Sequence, residues 1–134
     1  MNVYAEKVKQ YLEEEQIPYS CEKMGETDEN FLIYAIIKDT PNIWAEVEDC
    51  GKIQLTSYLL NDMSKEKEEY LQNRTYALQA KEIEFQIFLD DEGTVTALYN
   101  AKLKQTDVKE TFAKAIYVFC FLVNQCIRDM FANI

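Results

Sequence analysis

The chain contains no histidine. That removes the usual general base near neutral pH, the commonest metal ligand and any Ser–His or Cys–His couple. The four cysteines, Cys21, Cys50, Cys120 and Cys126, form no C-x-x-C pair, so zinc and thioredoxin-like chemistry have little support. Glycine and proline number three and two, which argues against long loops and low-complexity linkers. Basic residues are the minority, 14 against 24 acidic ones, and they form no cluster. A formal charge of −10 disfavours nucleic acid and anionic lipid as partners. The same negative field favours encounter with a basic protein. The opening residues lack the basic-then-apolar pattern of a secretory leader, so a cytoplasmic location with reduced thiols is expected.

What is present suits one packed domain over 1–134. At 134 residues and 48% hydrophobic content, the chain can build a core without disulfides or metals. Residues 3–16 read as an amphipathic helix, with Tyr4, Val8, Tyr11 and Leu12 on one face and Pro18 as its stop. A short strand is expected at 19–24. "FLIYAIIK" (31–38) is apolar on both phases, as in a strand covered on two sides. "IWAEVED" (43–49) and "KIQLTSYLL" (52–60) alternate around a "DCGK" turn whose glycine tolerates positive φ. Residues 61–81 read as a helix with a thin apolar stripe. Residues 83–103 form the clearest hairpin, connected by "DDEG". That acidic turn lacks the alternating carboxylates and distant Glu of a calcium loop.

The longest apolar run, "AIYVFCFLV" (115–123), lies in a final helix over 107–132. Asn124, Gln125, Arg128 and Asp129 interrupt it short of the twenty or so apolar residues a membrane span needs. At 100° per residue, Val108, Phe112, Ile116, Phe119, Val123, Cys126 and Met130 share one face, flanked by Ala115, Cys120, Leu122 and Ile127. Tyr117 and Phe121 fall on the opposite side among Glu110, Lys114, Gln125 and Arg128. An apolar island with a polar rim is the form a contact surface takes, for a partner or a second copy of the chain.

The expected architecture is α+β, in the order α-β-β-β(-β)-α-β-β-α, with three helices mainly on one face of a mostly antiparallel sheet of five or six strands. "YAEKVKQYLEEEQIPYS" resembles the opening of the YbjN family, and "NRTYALQAKEIEFQIFLDDEGTVTALYNAKL" resembles that family's helix-to-hairpin junction. Members resemble type III secretion chaperones in fold, which are small, acidic, cytosolic and often dimeric. The resemblance implies a protein-binding or chaperone-like role and supplies no active site.

The leading expectation is therefore a non-catalytic binding module that needs no cofactor or metal, contacting a protein partner or forming a homodimer. Candidate contacts are Trp44, Tyr58, Tyr117 and Phe121. Trp44 and Tyr58 are placed on the sheet face away from the helices, where cross-strand packing is the competing explanation. The alternative is an acidic inhibitor or immunity-type protein that masks a basic toxin or nuclease, steered by its charge. A cysteine enzyme is disfavoured. Cys50 sits in a turn beside Glu46, Glu48 and Asp49 with no basic activator, the reverse of the electropositive surroundings that activate a thiol.

Overall fold

The computed structural model describes residues 2–25, 29–61, 85–89 and 94–132. Helix α1 runs Val3–Glu14. Its start is fixed by Asn2, whose side-chain oxygen accepts the Ala5 N–H at 3.0 Å, the ordinary work of an N-cap. The amide nitrogen of the same residue donates to two carbonyls elsewhere, Glu29 at 2.8 Å and Val47 at 3.0 Å. Asn2 is therefore buried and latches the helix to the sheet. Ala5, Val8 and Leu12 bury one stripe. At the other end the Ile17 N–H bonds the Leu12 carbonyl and the Gln16 N–H bonds that of Glu13. Gln16 takes φ 57° to permit this paired closure, and Pro18 follows.

Strand β1 (Tyr19–Met24) starts directly after this cap. The Tyr19 hydroxyl donates to Glu13 Oε1 at 2.6 Å, tying the strand back to the helix end. That hydrogen bond, with smaller help from desolvation and the Glu13 charge, pushes the phenol up to about 12. The neutral form is favoured in the folded chain, so this contribution is complete below the ordinary value of 10.0 and is lost as pH rises toward 12. The pair is solvent-exposed, and its energy is correspondingly small. In alkaline denaturation series, the stability difference between wild type and Tyr19→Phe is expected to change only across that window. A difference that is constant with pH would remove the role assigned to the Glu13 bond.

The remaining strands are β2 (Asn30–Ala35), β3 (Ile43–Val47), β4 (Lys52–Asn61), β5 (Phe85–Leu89) and β6 (Thr94–Lys102). They make one sheet in the order β1-β2-β3-β4-β6-β5, every neighbouring pair antiparallel. Inward alternation places Ile33, Ala35, Ile43, Ala45, Val47, Ile53, Leu55, Phe85, Ile87, Val95 and Ala97 in the core. The register between β4 and β6 shifts after Tyr58. Gly51 turns β3 into β4 at φ 95°. A Cβ there would stand 2.9 Å from the Tyr4 ring and 3.2 Å from the Leu103 carbonyl, so both backbone angle and space require glycine.

Helix α2 (Val108–Ala132) begins where the Asp107 carbonyl accepts the Thr111 N–H. Val108, Phe112, Ala115, Ile116, Phe119, Leu122, Val123 and Cys126 bury its inner stripe. Phe112 meets Tyr11 of α1 edge-on at 5.6 Å, and Phe119 meets Phe85 at 6.1 Å and Tyr99 at 6.3 Å. Both helices thus cover the same sheet face, as the α+β expectation requires. By length and composition alone the segment Val108–Arg128 could cross a membrane. Here its apolar stripe closes the core.

Two sequence expectations shift. The strand expected over 31–38 stops at Ala35. The apolar run continues through Ile36 and Ile37, but Asp39 adopts φ 62° and the Thr40 N–H bonds the Ile37 carbonyl, so the chain turns. Ile36, whose N–H still bonds the Pro18 carbonyl, lies on the outward phase opposite buried Ile33 and Ala35 and is exposed. In the helix expected over 61–81, Asn61 instead closes β4, and 62–81 lie outside the described residues, as does the "DDEG" turn at 90–93.

Candidate interaction surfaces

The outward phase of the sheet carries an aromatic and polar surface. Tyr34 on β2 and Trp44 on β3 are direct cross-strand partners, their rings 4.4 Å apart. Asn42 holds this pair in place, its side-chain amide donating to the Tyr34 hydroxyl while its backbone carbonyl accepts from Ser57 Oγ at 2.8 Å. Trp44 is half-buried as a result, and the cross-strand packing expected for it is present. Its remaining edge joins Leu32, Glu46, Gln54, Thr56 and Tyr58 around a groove of about 260 Å³. Tyr58 is 56% exposed.

A second, larger hollow of about 580 Å³ continues along the same face and shares Glu46 and Gln54 with the first. Lys52, Lys102, Glu48 and Asn100 line it, and Gln54 Nε2 donates across β4 and β6 to Asn100 Oδ1 at 3.2 Å. The outer face therefore mixes both charge signs with aromatic edges. Period-two alternation places Trp44 and Tyr58 on this face. It equally marks Leu32 and Tyr34, which the sequence reading did not single out. Gln54 and Asn100 come together only once β4 and β6 are paired.

The second surface is the solvent side of α2. Tyr117 is 73% exposed and Phe121 is 58% exposed, one turn apart. Glu110, Lys114 and Arg128 beside them are exposed as well. The four candidate residues thus divide into two surfaces: Trp44 and Tyr58 on the outer sheet face, Tyr117 and Phe121 on a helix that covers the inner one.

Cys126 is buried and Cys21 and Cys120 are half-buried. Burial pushes Cys21 and Cys120 up, away from thiolate formation. Cys50 is exposed, with its Sγ 3.8 Å from Glu48 Oε2. Among the described residues, no group of three or more His, Cys, Asp or Glu side chains could hold a metal ion.

No protein-family model matches the sequence, and no curated protein matches it. The chain is similar to the crystal structure of YbjN, a candidate transcription regulator from E. coli, with a TM-score of 0.60 and 13% sequence identity. The match covers 99% of this chain and 96% of that one. At such identity the likeness is one of fold. An all-antiparallel six-stranded sheet, helices on one face and a match along nearly the whole chain together give this protein the YbjN fold.

Proposed function

We propose that the chain is a non-catalytic protein-binding module, a chaperone-like or regulatory adaptor. The observation that carries this reading is the exposure of Tyr117 and Phe121 on a helix whose opposite side is fully used by the core. Burying an aromatic side chain contributes roughly 1.5–3 kcal/mol. Ile116, Phe119 and Val123 gain from burial inside the fold, and Tyr117 and Phe121 can gain it only from a second surface. The outer groove with Trp44 and Tyr58 offers a further contact of the mixed aromatic and polar kind that interfaces favour. The description of YbjN as a regulator agrees with a role in binding rather than in chemistry.

The acidic-inhibitor alternative draws on the charge of −10. The outer hollow, however, sets Lys52 and Lys102 beside Glu46 and Glu48, which is not the uniformly negative surface that masks a basic toxin. Affinity capture from the native lysate tests the proposal. A protein retained by wild type and lost with Tyr58→Lys or with the Tyr117→Lys, Phe121→Lys pair is the expected result. No retained protein, together with a strictly monomeric chain, would refute it.

A further inference from the structure

We infer that α2 is an antiparallel self-association seam that pairs two copies of this chain about a two-fold axis at the level of Phe119. The inference rests on the binding-module reading and names the occupant of one of its two surfaces.

The argument starts from spacing. Glu110, Lys114, Tyr117, Phe121, Asn124 and Arg128 recur in alternating steps of four and three residues. That rhythm keeps a seam facing a partner helix. At 100° per residue the six positions fall within a sector of about 80° on the helix surface. All are exposed except Asn124, which is half-buried. Among the described residues, Glu110, Lys114 and Arg128 make no ion pair within the chain.

The order of residues along this seam is self-complementary in one direction. Set two copies of α2 antiparallel across the axis. Tyr117 of one protomer then meets Phe121 of its partner, Lys114 meets Asn124, and Glu110 meets Arg128. Each pairing occurs twice, as a two-fold interface demands. The aromatic pairs sit at the centre and the opposite charges at the rim. A parallel pairing would instead oppose Glu110 to Glu110, Lys114 to Lys114 and Arg128 to Arg128, three levels of like charge. The charge pattern thus selects both the second copy and its direction.

The area approaches what a dimer needs. The four rings bury on the order of 600 Å² given their exposure and size. The stems of Glu110, Lys114 and Arg128 from both protomers extend this toward the roughly 1,200 Å² at the lower end of standard interfaces. Salt is a poor probe, because it weakens the Glu–Arg pairs while also screening the repulsion between two chains of charge −10.

Charge reversal is the sharp test. Glu110→Arg and Arg128→Glu are made singly, their fold is checked by circular dichroism, and their mass is followed by sedimentation over a concentration series. Wild type is expected to dimerise, and each single variant to sediment as a monomer. Mixed in equal amounts, the two variants restore both opposite-charge contacts, so the mixture is expected to regain the dimer. The double variant Glu110→Arg, Arg128→Glu pairs with itself and should also dimerise. A wild type that stays monomeric throughout overturns the inference, as does a dimer unaffected by either reversal or a mixture that does not associate. A monomeric wild type that captures another protein through Phe121 would also overturn it, giving the seam to that partner. Capture through Tyr58 alone would leave the binding-module reading standing after the seam had failed.

Discussion

Replacing Phe119 with alanine is expected to lower the unfolding free energy by about 3–5 kcal/mol, the cost of emptying a large aromatic site in a packed core. The ring is fully buried, and it bridges Phe85 on β5 and Tyr99 on β6 from the middle of α2. Its removal therefore loosens the helix from the sheet edge as well as leaving a cavity. Total stability of a domain this size is about 5–15 kcal/mol, so the loss is a large share of it. Phe121→Ala is the matched control. The chemical change is the same two positions further along, but that ring is 58% exposed. Its effect on the isolated protomer is expected to stay within about 0.5 kcal/mol. Urea denaturation of both variants at low protein concentration checks the pair. Equal losses would mean that the two faces of α2 have been assigned incorrectly.

Asn2→Ala is the second large effect, with an expected cost of roughly 2–4 kcal/mol, combining a lost N-cap with loss of the amide donor to the buried Val47 carbonyl. One side chain here accepts from Ala5 and donates to Glu29 and Val47. Asn2→Asp separates these roles. At an exposed N-cap, aspartate and asparagine are nearly equivalent. Here aspartate keeps the acceptor for Ala5 but turns a carboxylate oxygen toward two carbonyls. It is expected to be at least as damaging as alanine. A near-wild-type Asn2→Asp protein in thermal melts would show that the two carbonyl contacts contribute nothing.

Alternation and helical periodicity carried most of the fold. They separated Phe119 from Tyr117 and Phe121 within five residues, because 100° per residue leaves no ambiguity along so long a helix. They placed Trp44 and Tyr58 on one sheet face for the same reason. Strand order was not legible. Alternation tells which way Ile53 or Tyr99 points, but not that β6 lies between β4 and β5. The end of β2 is not legible because Ile36 and Ile37 continue the apolar run up to the turn that Asp39 makes, past the last strand residue, Ala35. The latch made by Asn2 is not legible because the two carbonyls its amide bonds lie 27 and 45 residues away and meet it only in the folded chain. The groove depends likewise on β3, β4 and β6 lying side by side.

Trp44 is the chain's single tryptophan. Its indole lies against Tyr34 on the outer face, whereas α2 packs on the inner one. Intrinsic fluorescence excited at the indole band therefore reports one point of the molecule. A ligand that settles beside Tyr58 should shift the emission, while pairing through α2 should leave it silent. The two surfaces can thus be titrated separately in one unlabelled sample, fluorescence following the sheet face and mass following the helix.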